Sequence, residues 1–203
     1  MNPISFLYRT IFYEPTLFLF LFFFFNLKDL GLAIILLAFL IRLIFLPLSI
    51  RVIKNEKKME KIQSQISEIE EKYKEDPRKK TLEILSLYKK EGFNPLFNFL
   101  LLIFQFPVLY SVYQILKQPQ TFPSATFLNF IDLTKPNFLF PVMAGGLQVF
   151  QILRKKNPSH FFTLFSVFLL IFVLTKLPAA VSLYVLANFL FGILERFLVL
   201  KKI

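Results

Sequence analysis

Polar side chains interrupt the long apolar stretches of this 203-residue chain, at spacings that place several of them on shared helix faces. The candidate site residues of this kind are Arg42, Asn98, Gln105, Gln148, Gln151, Tyr184 and Asn188. Ser49 and Glu195 belong to the same set of polar groups inside apolar runs. If they converge, they would line one hydrophilic cavity, whose chemistry is hydration and hydrogen bonding of a polar segment rather than bond cleavage.

Arg42 lies deep inside one apolar run, residues 30–48 (LGLAIILLAFLIRLIFLPL). A lone cation at that depth costs from about 3 to more than about 10 kcal/mol, so it usually faces protein or water and marks a pathway. Snorkelling is the alternative. Arg42 lies about 12 Å of helix rise before the end of its predicted span at residue 50, and its long side chain could bend towards that surface.

The remaining polar groups also allow two interpretations. Amides and hydroxyls in membrane helices often only hold neighbouring helices together, at roughly 0.6 kcal/mol per hydrogen bond. For Gln148, Gln151 and Ser49 this structural role stays open beside a role in a cavity.

No pattern in the chain predicts catalysis. The sequence has no cysteine and a single histidine, His160, without a partner suited to nucleophilic catalysis nearby in sequence. Gly145-Gly146 is an isolated pair, typical of a close helix contact rather than of a phosphate-binding loop. We therefore predict a protein that is not an enzyme, with no catalytic residues, no cofactor and no metal site.

The elements that must position these side chains are membrane helices. The chain is 56% hydrophobic and contains 29 phenylalanines, in runs too long and too apolar for a water-soluble domain. Its net charge of +11 sits in blocks between the apolar runs, which the positive-inside rule explains better than nucleic-acid binding. The predicted fold class is all-α: a polytopic membrane protein with five core transmembrane helices.

The predicted segments alternate between apolar spans and polar connections. They are residues 1–29, an N-terminal interfacial, re-entrant or additional spanning helix; 30–50, the first span; 51–91, a helical hairpin; 92–116, the second span; 117–137, an external loop; 138–153, the third span; 154–160, a tight basic turn; 161–177, the fourth span; and 178–203, the fifth span with the C-terminus.

The polar module, residues 51–91, reads as two helical arms. Met59, Ile62, Ile66, Ile69 and Tyr73 alternate steps of three and four, as in a coiled-coil seam. Asp76 and Pro77 are predicted to cap and begin the second arm, which carries Leu82, Leu85 and Tyr88, and Gly92 to end it. The periodicity leaves open whether the module is a solvated connector or a docking surface.

Basic residues predict the orientation. The hairpin, the basic turn and the C-terminal end hold eighteen Lys and Arg, whereas the alternate ends hold five. The hairpin is therefore predicted to be cytoplasmic.

An ordered set of short motifs runs along the chain over about residues 28–197. It comprises residues 31–37 (GLAIILL), 41–43 (IRL), 47–48 (PL), 72–77 (KYKEDP), 87–89 (LYK), 92–96 (GFNPL), 105–107 (QFP), 131–136 (IDLTKP), 177–180 (LPAA) and 183–184 (LY), followed by Asn188. In this ordered set the chain resembles the YidC/Oxa/Alb family of membrane protein insertases.

The resemblance implies a multi-pass protein of the prokaryotic plasma (inner) membrane. It implies a hydrophilic groove, open to the cytoplasm and to lipid, through which nascent membrane proteins, here called clients, enter the bilayer. Arg42 matches the groove arginine of that family, and a wet, positively charged groove would attract acidic client tails. Contact with the Sec translocon and the ribosome is left open. The alternatives are a small-solute channel or transporter, or a membrane scaffold protein.

Overall fold

The computed structural model describes residues 2–117, 122, 125–154 and 160–201. The helices are α1 (Pro3–Tyr8), α2 (Glu14–Leu27), α3 (Leu30–Lys72), α4 (Pro77–Glu91), α5 (Leu96–Leu116), α6 (Leu139–Leu153), α7 (His160–Leu174) and α8 (Ala179–Lys201), with a π-helical turn, Arg9–Tyr13, joining α1 to α2. Two short strands, β1 (Thr126–Phe127) and β2 (Ile131–Asp132), pair antiparallel. The all-α prediction is confirmed, apart from this small hairpin in the predicted external loop.

Among the residues that the structure describes, three helical segments are long and apolar enough to cross a membrane by length and composition: Ser5–Leu27, Leu30–Lys72 and Ala179–Lys201. Shorter apolar helices follow at Ile103–Leu116, Leu139–Leu153 and Leu164–Leu174. The N-terminal segment has 23 residues and a mean hydropathy of 1.6. Its length and composition therefore admit the spanning alternative that the sequence left open beside an interfacial helix.

The chain divides into two compact units, the first formed by Met1–Ile44 and Phe104–Ile203. In this unit α6 packs against both α7 and α8. Small residues allow close approach: a Cβ on Gly145 would lie 2.7 Å from Cδ1 of Ile171, and Ala144, Ala180 and Ala187 are buried. The start of α8 is held by the preceding loop, because the N–H groups of Ala179 and Ala180 donate to the carbonyls of Lys135 and Leu133.

The β-hairpin is tied to the start of α3 by one carboxylate. Asp29 accepts a hydrogen bond from the N–H of Leu32 through Oδ1 (2.8 Å) and one from the N–H of Leu128 through Oδ2 (2.7 Å). Gly31 lies against the side chain of Phe127, where any Cβ would overlap the ring atoms Cδ2 and Cγ. Helix capping and loop attachment therefore depend on the same short stretch of chain.

The second unit, Phe45–Ile103, contains the helical hairpin. Its arms pack through buried Ile62, Ile66, Leu87 and Phe93, with Met59, Ile69, Ile84 and Tyr88 packed against them. The predicted caps are confirmed: Asp76 accepts from the N–H of Lys79 at 3.0 Å, and Gly92 ends α4 with a φ of 60°. These caps could be predicted because they depend on only a few consecutive residues.

The predicted apolar face of the second arm was wrong in part. Leu82 and Leu85 are 66% and 49% exposed, whereas Ile84 and Leu87 face the first arm together with Tyr88. The turn at Gly92 folds Phe93 back onto Tyr88, with ring centroids 4.7 Å apart. This contact favours the face of α4 that carries Tyr88, Leu87 and Ile84 over the one that carries Leu82 and Leu85.

Candidate functional site

Arg42 forms an ion pair with Glu195 in the first unit. Its Nε donates to Oε2 of Glu195 at 2.8 Å, and the two side chains are 22% and 5% exposed. Arg42 lies on α3 and Glu195 on α8, 153 positions apart in sequence. An arginine inside an apolar helix thus meets an acid on another helix, which is how most intramembrane charges are accommodated.

Gly192 makes room for the guanidinium, one turn before Glu195 on α8. A Cβ at Gly192 would overlap Nη2 of Arg42 and would lie 3.1 Å from its Cζ. The guanidinium therefore rests against bare helix backbone while its Nε faces Glu195. Any larger residue at position 192 would have to displace the arginine.

The pair leaves polar atoms unused. Oε1 of Glu195 is buried and has no hydrogen-bond partner among the described residues. The bond from Arg42 to Glu195 involves Nε alone. Among the residues that the structure describes, the Nη groups of Arg42 donate to no protein atom. An arginine can donate five hydrogen bonds, so this one keeps donors for a polar group that enters from the exposed side.

Gln148 and Gln151 each bind a neighbouring helix. Nε2 of Gln148 donates to Oγ of Ser166 on α7 at 3.2 Å, while Nε2 of Gln151 donates to the carbonyl of Phe189 on α8 at 3.3 Å. Oε1 of Gln148 is buried without a partner in the described structure. These bonds join α6 to both of its neighbours, and they leave the Gln148 oxygen as a further unused acceptor.

Tyr184 and Asn188 occupy the buried face of α8. Their exposures are 1% and 7%, and Nδ2 of Asn188 donates to the Tyr184 carbonyl at 3.0 Å. The amide therefore returns to its own helix one turn earlier. Both residues lie on the helix that carries Gly192 and Glu195.

The other predicted residues are Gln105, Ser49 and Asn98. Gln105 is half-buried on α5 in the first unit. Ser49 belongs to the second unit, where its buried hydroxyl has no partner among the described residues. Asn98 lies on α5, but its side chain is outside the described part of the structure.

The sequence analysis places Glu195 among the polar groups inside apolar runs, but does not pair it with Arg42. The available signal was charge: an intramembrane cation requires an anion, and Glu195 is the one acid in the apolar part of the last helix. The role of Gly192 was not predicted, because a single glycine in an apolar helix does not indicate which side chain of another helix packs against it.

The arrangement suits noncovalent handling of polar groups. In the described residues no cluster of three or more His, Cys, Asp or Glu could hold a metal ion. The first unit offers an arginine with unused donors, an unbonded oxygen of its partner Glu195, and a further unbonded oxygen of Gln148 on α6.

Comparison with known proteins places this geometry in context. The family model described as "60Kd inner membrane protein" matches residues 20–203. A protein named "Membrane protein insertase YidC" from Clostridium tetani is 32% identical over 163 residues, covering 76% of this chain and 74% of that protein.

A Helicobacter pylori protein of the same name is 30% identical over 180 residues, covering 84% of this chain but 33% of the relative. Among solved structures, one described as "Active YidC insertase crystal structure with the first transmembrane domain resolved" matches with a TM-score of 0.70 and 29% identity. That match covers 90% of this chain and 44% of the solved one. The match thus spans about three quarters of the Clostridium tetani relative and about a third of the Helicobacter pylori one.

Proposed function

The chain belongs to the 60 kDa inner membrane protein family, which contains the YidC membrane protein insertases, and from this premise we propose that it inserts and helps to fold small or single-span membrane proteins. Family membership and the ion pair of Arg42 in an apolar setting carry this proposal together. The family is non-enzymatic and belongs to the inner membrane, so the task is to lower a transfer barrier rather than to catalyse a reaction.

We propose five core spans, formed by the first half of α3 and by α5, α6, α7 and α8. Helices α6 and α7 have 15 residues each, which corresponds to about 22 Å of helix against a hydrocarbon core of about 30 Å. Lipid around such short helices thins to match them. A thinner bilayer shortens the dry distance that a client's polar tail must cross.

The main barrier to moving a polar tail across lipid is desolvation, since each unpaired polar backbone group costs several kcal/mol in hydrocarbon. In the proposed mechanism, the unused donors of Arg42 and the acceptor of Gln148 bind water and the client's polar groups in a recess between the helices. Tyr184, Asn188, Gln105 and Gln151 are proposed to line the same recess. No continuous pore is needed, because the client leaves sideways into lipid.

The decisive experiment measures insertion of a single-span client into proteoliposomes containing the purified protein. Arg42→Lys should keep at least a third of the wild-type rate because charge and hydration remain. Arg42→Ala should reduce the rate about tenfold. Arg9→Ala is the matched control. Nε of Arg9 also pairs with an acid, Glu14, at 2.9 Å, but the Arg9 side chain is 61% exposed and lies in the N-terminal segment, outside the proposed site. Wild-type insertion by a folded Arg42→Ala variant would contradict the mechanism, and ion or solute flux without insertion would indicate a channel.

For the hairpin we propose a role in receiving clients at the cytoplasmic side. It has its own core, and its surface is highly charged, with twelve basic and nine acidic residues in 51–91. Contact with the Sec translocon or the ribosome is a further proposal for this surface. Replacing residues 74–80 by a short turn should leave folded protein in the membrane and slow client capture. Loss of detergent-stable protein would instead indicate a structural role.

A further inference from the structure

The charge of the proposed recess depends on Glu195 as much as on Arg42. With Nε of Arg42 and Oε2 of Glu195 2.8 Å apart, the formal charges of the two side chains cancel at short range. A lone arginine would attract acidic client tails strongly in a low-dielectric setting. A paired arginine attracts them much less, while its unused Nη donors can still bind water and neutral carbonyls.

Glu195 binds the guanidinium of Arg42 through Nε only, which leaves the two Nη groups unbonded to it. Gly192 lets the guanidinium lie on the backbone of α8, and Glu195 is bound through Nε rather than through the two Nη groups. An Arg–carboxylate pair is frequently bidentate, and that geometry would use more of the donors. Here Glu195 takes a single donor and leaves one of its own oxygens unbonded among the described residues.

Resting on the insertase function proposed above, we propose that Glu195 is a specificity-determining residue. It acts as an internal counter-ion that keeps the recess hydrated but nearly neutral, so that clients with neutral polar tails and clients with acidic tails are accepted at similar rates. Removing its charge while keeping a hydrogen-bond acceptor for Nε would convert the protein into one that prefers acidic tails.

The test compares two clients that differ only in the external tail, one carrying Asp residues and the other the matching Asn residues. The measured quantity is the ratio of their initial insertion rates into proteoliposomes. In the wild type this ratio should be near one. In Glu195→Gln it should rise about tenfold in favour of the acidic tail, and in the double variant Arg42→Ala with Glu195→Gln it should return to the wild-type value.

Two further variants serve as controls. Glu14→Gln removes a carboxylate that also pairs with an arginine Nε at 2.9 Å, but this carboxylate is 52% exposed and belongs to the N-terminal helix. Glu195→Asp keeps the negative charge on a shorter side chain. Both should show the wild-type ratio. A ratio in Glu195→Gln within twofold of wild type, or a raised ratio that persists in the double variant, would overturn the counter-ion role.

A binding measurement separates this proposal from the insertase function itself. Soluble peptides corresponding to the two tails are titrated onto detergent-solubilised protein, and folding of each variant is checked by size-exclusion chromatography. Glu195→Gln should bind the acidic peptide about tenfold more tightly than the wild type does, with little change for the neutral peptide. Equal affinities would reject the counter-ion role even if insertion works. Failure of the wild type to insert either client, with the expected shift in binding, would reject only the proposed function.

Discussion

Asn55 binds both backbone polar groups of Asn94: its Nδ2 donates to the Asn94 carbonyl at 2.7 Å, and its Oδ1 accepts from the Asn94 N–H at 3.0 Å. Asn55 is 4% exposed and Asn94 lies just before α5, so one buried amide joins the two ends of the hairpin module. The Asn94 side chain in turn caps α5 by accepting from the N–H of Leu96.

Asn55→Ala should destabilise the hairpin by about 1 to 3 kcal/mol, because it removes two hydrogen bonds at a buried position. Amide hydrogen exchange of the second unit should speed up accordingly. Ser67→Ala is the control, since the Ser67 hydroxyl bonds only within its own exposed helical turn. Unchanged exchange rates in the Asn55→Ala variant would show that water can replace the Asn55 amide without any loss of hairpin stability.

The two leucines of α4 provide a test of the observed packing face. Leu87 is 8% exposed within the hairpin core, whereas Leu82 is 66% exposed. Leu87→Ala should cost about 2 to 4 kcal/mol of local stability, and Leu82→Ala less than about 0.5 kcal/mol. Exchange protection along α4 measures both. A larger loss of stability for Leu82→Ala than for Leu87→Ala would instead favour packing through the face of α4 that carries Leu82 and Leu85.

Gly192→Ala should slow insertion, though less than loss of Arg42 does, because the new Cβ would occupy the space of Nη2 and shift the flexible end of the arginine side chain. Gly146→Ala is a control of the same chemistry, since a Cβ at Gly146 meets nothing within 4 Å. Both substitutions raise helix propensity by about 1 kcal/mol, so propensity cannot explain a difference between them. Equal insertion rates in the two variants would show that the position of the Arg42 guanidinium against Gly192 does not matter for insertion.

The proposed orientation can be tested with single cysteines, because the native chain has none. Ser64 is exposed on the hairpin, and Phe130 is 90% exposed at the tip of the β-hairpin. In sealed vesicles, a membrane-impermeant maleimide should label Ser64→Cys from the cytoplasmic side and Phe130→Cys from the opposite side. Labelling of both from one side would refute the five-span topology.

Asp132 should titrate at unusually low pH. Hydrogen bonds from the Thr134 hydroxyl and N–H, followed by Lys135, lower the pKa of Asp132 from 3.8 to about 2. Because the folded-state pKa is lowered, the stabilisation from the ionised form is present above pH 3.8 and is lost as the pH falls towards 2. The NMR shift of the Asp132 carboxyl carbon measures this midpoint.

Thr134→Val should move that midpoint back towards 3.8, because it removes the hydroxyl that makes the largest contribution. Thr81→Val, which loses a hydroxyl bonded to the Pro77 carbonyl on the hairpin, should leave the titration unchanged. A midpoint near 3.8 in the unmodified protein would mean that the turn at residues 132–135 does not persist in solution.

Local features of this fold could be predicted from sequence, whereas pairings between distant helices could not. Asp76 and Gly92 act through neighbouring residues, so their capping roles are visible in a few letters of sequence. The face of α4 depends on Phe93 folding back over Tyr88, which periodicity alone does not encode. Arg42 stood out because its charge is costly, but its partner is 153 positions away and no local pattern identifies it.

The contact between Gly31 and Phe127 limits how this chain can change over evolutionary time. A Cβ at position 31 would overlap the ring of Phe127 and would also lie 2.7 Å from the Cβ of Phe127, which every residue except glycine carries. A smaller side chain at position 127 would therefore not make room, and position 31 should stay glycine among relatives even where position 127 varies. The N–H of the neighbouring Leu128 is held by Asp29, so an acid or amide at position 29 should persist through such changes at position 127.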